Sequence, residues 1–445
     1  MSMDNNILKY RSIIRFVIEA ATPMAVGNGT KSILSDALVA KDANGLPFIP
    51  GTSITGVLRH GIEAISKDLA NKFFGTQNRG SELIISDAVM IGEDGKAVDG
   101  LCEKLDKDFY LRFSDLPIRQ HVRIDQKGTA CKGGKFDNEV VYKGTRFVFE
   151  IEKMAEEADS EAIQMITREL LNPAFRLGSG TRNGLGAIKV VDIKSRTFDL
   201  SDMADLNAYV SRSSSLSEPF DGDTLHADKI KAKGITYELH LKPCDFMLFA
   251  SGLGDEDADI TPLKEDIILW NEKGEPHFDN RTIVIPATSL KGAISHRTAY
   301  HYNRFSKVFA DKIETGDFKN HVGDNNNAVR ALFGGESEEI TRGKVILTDI
   351  VKATSHNTHI LHHVKIDRFT NAPIDGALFQ EKVTDANGEE FCTTICIPEQ
   401  VAEQNAIESF EQALDDLCNG LLPLGGGVNR GHGRFTGYYK KTEED

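Results

Sequence analysis

Residues Phe48–Ile62 read FIPGTSITGVLRHGI and residues Val284–Thr298 read VIPATSLKGAISHRT, one motif written twice in a single chain. In each copy an apolar run ends in Ile-Pro, a Thr-Ser pair follows one residue later, and apolar residues then recur every three or four positions. Ile54, Val57, Leu58, Ile62, Ile65, Leu69 and Phe73 keep that spacing in the first copy, while Leu290, Ala293 and Ile294 begin it in the second. The spacing predicts an amphipathic helix after each proline. Thr52 or Ser53 is the expected cap, because a hydroxyl satisfies an orphan N–H of the first turn.

Three further pairs of blocks follow in the same order. KFFGTQNRGSELIISDAV matches ALFGGESEEITRGKVILTDIV, with Phe74 opposite Phe333. HVRIDQKGTA, from His121, matches HVKIDRFTNA, from His363. FRLGSGTRNGLGAIKV, from Phe175, matches LPLGGGVNRGHGRFTG, from Leu422. The offset grows along the chain, as a duplicated domain with loop insertions requires, and the period is far too long for a solenoid. The expected division is a first domain at 1–195, a linker at 196–233 and a second domain at 234–445. The linker contains SRSSSLSEPFDGD, Ser-rich and acidic. Tyr10–Glu19 and Ile235–Lys242 read as strands, the latter by strict alternation. Strand, long loop, helix and strand, closed by a glycine-rich turn and a last strand, is an α+β pattern. It is compatible with two tandem ferredoxin-like β-α-β-β-α-β cores carrying insertions.

The chain has 445 residues, 52 Lys+Arg against 67 Asp+Glu, and a net charge of −15. That balance argues against a protein that coats DNA through many phosphate contacts. A local basic strip is untouched by the argument, because net charge carries no information about distribution. The six cysteines form no CxxC pair, and Cys392 and Cys396 mean little as a zinc site without two further ligands. No stretch approaches the roughly 18 apolar residues of a membrane span, and no signal peptide is visible. The expectation is a reduced, cytoplasmic protein without a membrane partner.

Four features carry candidate chemistry. Gly178, Gly180, Gly184 and Gly186 recur as Gly425, Gly427, Gly431 and Gly433. This is not the GxGxxG spacing of a dinucleotide fold. These loops are either turns needing positive φ or anion sites, with Arg182, Asn183, Asn429 and Arg430 beside them. The helix starts, with Thr52, Ser53 and Ser289, are either simple caps or phosphate sites, and Arg59 and Lys291 lie nearby. HVRID and HVKID bring Arg119, Arg123, Lys127, Lys365 and Arg368 into locally positive stretches, which an ordinary solvated hairpin would also show. His356, His359, His362 and His363 have only His121 as a counterpart, so no residue is assigned as a metal ligand. Asp36 lies in a small, polar loop before the first helix motif, a placement typical of functional loops and of merely soluble ones.

The paired helix-start, HV(R/K)ID and glycine-rich blocks resemble the RAMP superfamily of CRISPR-associated proteins, from about Lys9 to Tyr439. Within it the chain looks most like two fused backbone subunits of a type III effector complex. The resemblance implies an RRM-like core with β-hairpin thumbs at about Arg119–Val140 and His362–Val383. It implies stacking along a crRNA with other effector subunits, and cleavage of complementary single-stranded target RNA, supported by a divalent metal (Mg or Mn). The catalytic Asp of such proteins precedes the IPG motif, where Asp36 stands. Counting back from the shared Gly45 and Gly274 places Glu265 opposite Asp36, with Asp266 beside it. The insertion leaves Asp266 and Asp259 as alternatives, or a second domain without activity. A single carboxylate suffices chemically, because RNA carries its own 2′-OH nucleophile and in-line geometry does most of the work. The alternatives are a purely structural crRNA scaffold and a guide-precursor processing nuclease.

Overall fold

The computed structural model describes residues 8–31, 36–102, 105–125, 127–226, 234–314, 316–335, 340–354, 356–385 and 388–444. The first half contains β1 (Tyr10–Ala20), α1 (Gly51–Ile65), α2 (Lys67–Phe74), β2 (Leu83–Ile85), β3 (Val89–Met90), α3 (Asp108–Leu111), β4 (Ile118–Ile124), β5 (Ala130–Glu139), β6 (Arg146–Ala155), α4 (Ser160–Leu171), β7 (Ile188–Asp199), α5 (Met203–Val210) and β8 (Asp223–Thr224). The second contains β9 (Gly234–Pro243), β10 (Ile267–Trp270), β11 (Pro276–Asp279), β12 (Thr282–Ile285), α6 (Ala287–Phe305), α7 (Asn327–Phe333), β13 (Gly334–Gly335), β14 (Thr341–Arg342), β15 (Ile350–Ala353), β16 (Asn357–Ile366), β17 (Pro373–Asp385), β18 (Phe391–Ile397), α8 (Ala406–Cys418) and β19 (Phe435–Glu444).

In the first half β1 is central, flanked antiparallel by β6 and β7 in the order β2-β6-β1-β7-β8. Alternation along β1 sends Ile14, Phe16 and Ile18 inward, and Phe16 stacks on Phe149 of β6 at 5.3 Å. Ile54, Leu58 and Ile62 of α1 and Ile166 and Leu170 of α4 close the same core. The second half repeats this scheme with β18-β9-β19, under Leu290 and Ile294 of α6 and Phe410 and Leu414 of α8. At about 25 cal/mol per Å² of apolar area buried, such two-layer packing is the main favourable term in each half.

Three sequence expectations are revised. Neither Thr52 nor Ser53 caps α1; the N-cap is Pro50, and the Asp87 carboxylate accepts from Gly51 N at 2.7 Å. Asp349 does the same for Ala287 N at 2.7 Å in the second copy. A carboxylate at the positive end of a helix is a stronger partner than a hydroxyl. Ile65 is exposed, because the chain breaks at Ser66 before α2 begins. Nor is 196–226 a free linker. β7 runs on to Asp199, α5 follows, β8 joins the sheet, and Phe198 and Phe220 cover outward-facing Ile13. Residues 227–233 lie outside the described residues.

The halves meet through the β10–β11 hairpin, an insertion of the second copy. Ile268 N donates to Lys143 O at 2.9 Å, Trp270 Nε1 to Gly144 O at 2.7 Å, and Arg146 lies 4.1 Å over the Trp270 ring. Phe278 packs among Phe109, Phe113 and Tyr142.

Candidate nucleic-acid interface and its carboxylates

In each half a long antiparallel hairpin, β4–β5 or β16–β17, stands where the HV(R/K)ID blocks predict one. The loop after the first strand runs back along its second arm. In the first half Asp36 N donates to Asp137 O and Asp36 Oδ2 accepts from Asp137 N, both at 3.2 Å, while Ala37 bridges Asn138 in parallel. In the second half Asp259 N donates to Gln380 O at 3.0 Å and Asp259 Oδ2 accepts from Gln380 N at 2.8 Å, while Ile260 bridges Glu381 in parallel. The two arrangements are the same, and both aspartates are exposed. Asp259 is therefore the counterpart of Asp36. Counting back from Gly274 points to Glu265 only because that count crosses the residues inserted around β10.

The same geometry removes Asp266 from the candidate carboxylates. It pairs with Arg112 NH1 at 2.8 Å at the junction of the halves. Its neighbour Glu265 is buried and accepts from Arg119 Nε at 2.8 Å, while Arg119 NH1 donates to Asp349. Arg119 itself is 3% exposed, so its assignment to RNA binding is also corrected. A guanidinium between two buried carboxylates is committed to holding the halves together. Burial opposes its charge, but Glu265 and Asp349 more than restore it and raise its pKa.

Other predicted cations keep their access. Arg123 and Lys127 on the first hairpin and Lys365 and Arg368 on the second are exposed near the tips. Arg59 is half-buried and spends its guanidinium on Gly75 O at 3.2 Å and Asn71 Oδ1 at 3.3 Å, closing the end of α2. Thr52 is exposed, and Ser53 and Ser289 are half-buried, in the first turns of α1 and α6.

The glycine-rich loops prove to be turns first. Gly178, Gly180, Gly425 and Gly427 all have positive φ, and a Cβ on Gly186 would run into Leu177 O. Several of their N–H groups are already used, Ser179 N on Ala25 O and Gly426 N on Leu248 O, both at 2.7 Å. That leaves the side chains as the anion-facing part. Asn183 is half-buried and Asn429 exposed. Gly184 sits where a Cβ would strike Asp349 and Ala287, so the first glycine loop abuts the start of α6. This brings Arg182 toward Lys291 and Arg342. Arg182 Nε donates to Gly343 O at 2.8 Å, and its pKa is pushed down to about 10 by burial and by the like charge of Arg342. Lys291 is pushed down too, by burial and then by Arg182. Arg342 NH1 lies 3.3 Å from His60 Nε2, and neither residue stood out in sequence because nothing local marks them. Crowded cations of this kind are stabilised by a polyanion.

In the second half Arg430 is not free for phosphate alone. Buried Glu381 accepts from Arg430 NH2 at 2.5 Å and contacts His363 Nε2 at 2.9 Å and His432 Nε2 at 3.0 Å. This node ties the second glycine loop to the hairpin one residue from Gln380, which holds Asp259. Beside the Asp36 loop lies an open cleft of about 680 Å³, bounded by Asn28, Leu38, Lys41, Phe48 and Glu139. A small cavity of about 10 Å³ lies in the second half between Met247, Thr282, Ile283 and His356.

Two copies of an α+β unit, each presenting a loop carboxylate against a cation-tipped hairpin and a glycine-rich turn, define a duplicated protein with a repeated polar site. The chain belongs to the RAMP superfamily, whose family model matches residues 17–189 and 270–436. It is similar to the CRISPR system Cms endoribonuclease Csm3 of Methanocaldococcus jannaschii, at 34% identity over 212 residues, covering 43% of this chain and 83% of that protein. It is also similar, at 19% identity and a TM-score of 0.32, to a chain in a cryo-EM structure of the type III-B Cmr-β complex bound to cognate target RNA. That alignment covers 43% of this chain and 62% of the other. No helix among the described residues is long and apolar enough to cross a membrane.

Proposed function

We propose that this chain is a crRNA-binding backbone subunit of a type III CRISPR ribonucleoprotein, and that it cleaves complementary target RNA at two positions, through Asp36 and Asp259. The observation that carries the reading is the duplicated carboxylate, held twice in the same way by a hairpin backbone. Similarity to an endoribonuclease supports it. The strand order β2-β6-β1-β7 supports reading the first half as a ferredoxin-like core, and β18-β9-β19 keeps its three central strands in the second; the hairpins are read as thumbs that enter a guide–target duplex. Guide phosphates would lie across the Arg182–Lys291–Arg342 junction, and the neighbouring partners are other effector subunits.

A nucleotide displaced by the hairpin exposes its 2′-OH and its phosphodiester for in-line attack. The Asp36 carboxylate, one oxygen of which accepts from the Asp137 amide, would accept the 2′-OH proton. A Mg²⁺ or Mn²⁺ would take the exposed Asp36 carboxylate as a single protein ligand, with RNA oxygens and water as the rest, as Mg²⁺ does in substrate-assisted sites. It would supply neutralisation of phosphate charge. The test is reconstitution with guide RNA and partner subunits. The expected outcome is stoichiometric guide retention through purification. A chain excluded from every guide-containing assembly overturns the proposal.

A further inference from the structure

We propose that His240, Glu390 and Cys392 form a Zn²⁺ site on the outer face of the second sheet, with water completing a tetrahedron. Taken as neighbours in sequence, Cys392 and Cys396 have no ligand set. The sheet register supplies one. Cys392 on β18 is directly opposite His240 on β9, and Glu390 precedes Cys392 by two residues, so alternation puts all three on one face.

His240 Nδ1 lies 2.9 Å from Glu390 Oε1 and 3.1 Å from Cys392 Sγ, and Cys392 Sγ lies 3.6 Å from Glu390 Oε1. Zinc bonds of about 2.0–2.3 Å imply tetrahedral donor–donor edges of about 3.3–3.6 Å, so small rotations of these side chains admit the ion. One nitrogen, one oxygen and one sulfur donor suit a borderline-soft cation, and a thiolate with a carboxylate balances its charge. The surrounding groups orient the donors. The Tyr438 ring stacks on His240 at 4.6 Å and 7°, and Lys242 Nζ lies 3.4 Å from the other Glu390 oxygen.

The first half shows why the cluster is specific to this face. Met24 and Met247 hold equivalent places, bridging Val141 and Thr384, and counting back seven residues from each puts Val17 opposite His240; Val17 packs against the cluster of Ile91, Val148 and Leu216 under the covering segment. At these positions the second sheet carries the polar triad, with the Tyr438 ring stacked on His240. Zinc would there tie β18 to β9.

The test is a Co²⁺ titration of the reduced, full-length chain freed of RNA. The expected result is one saturable equivalent with a thiolate-to-cobalt charge-transfer band, displaced by Zn²⁺. Cys392→Ser should abolish the band, and His240→Ala should weaken binding by at least about tenfold. Cys102→Ser and Cys244→Ser should leave it unchanged, with circular dichroism verifying that each variant is folded. Absence of a saturable band, or a band that survives Cys392→Ser, overturns the proposal. Neither result depends on whether the chain binds a guide.

Discussion

Arg119 shows how far a residue's meaning depends on partners distant in the chain. In a basic stretch it reads as a phosphate ligand; in the fold it lies between Glu265 and Asp349 of the other half. Removing it leaves two buried carboxylates without their cation, so Arg119→Ala should cost about 3–5 kcal/mol in denaturant unfolding. Asp266→Ala, which loses a partly exposed pair with Arg112, should cost about 1 kcal/mol or less. Glu381 offers a pH signature. Burial alone would push its carboxyl up, but hydrogen bonds from Arg430, His432 and His363 hold it below the ordinary 4.5. The folded state then takes up this proton less readily than the unfolded one. The contribution is full above pH 4.5 and is lost as pH falls through the folded value. Below about pH 5, stability should therefore fall less steeply in Glu381→Gln than in the unaltered chain, as denaturant titrations at several pH values would measure.

At the scale of elements, the paired helices and the first strand of the second half were legible because local signals are enough for them, whereas the hairpins were expected from the repeated HV(R/K)ID blocks and the resemblance they carry. Apolar spacing marks α1 and α6, and alternation marks β9. The match of Asp36 was only half legible. Counting back from Gly274 crosses inserted strands, whereas counting forward from Met24 and Met247 reaches Asp259 with no insertion between. Carboxylate caps such as Asp87 and Asp349 had no local signal, since each lies over 30 residues from the helix start it holds. The hairpin tips carry a prediction of their own. Replacing both Arg123 and Lys127 by Ala should weaken RNA binding across sequences and flatten its salt dependence by about 1–1.5 in log–log slope, at about 0.7 per lost single-strand contact. An unchanged slope would place the RNA elsewhere.

As a whole, the molecule is a head-to-tail pair in which the glycine loop of one copy abuts the helix start of the next. Such an interface is heterologous and leaves an open end on either side. Asp349 is covered by Arg119, while its counterpart Asp87 is exposed. The same arrangement reconciles a net charge of −15 with RNA binding, since exposed cations gather on the hairpin tips and half-buried Arg182 and Lys291 lie beside exposed Arg342 at the junction. On the proposed function, two equivalent carboxylates in one chain would make two cuts, one per half. The most direct test maps the ends of target RNA fragments from the reconstituted complex, with the native chain, Asp36→Ala and Asp259→Ala. The account predicts that each variant loses one cut, a different one, while guide and target remain bound. An unchanged pair of cuts in both variants would contradict it.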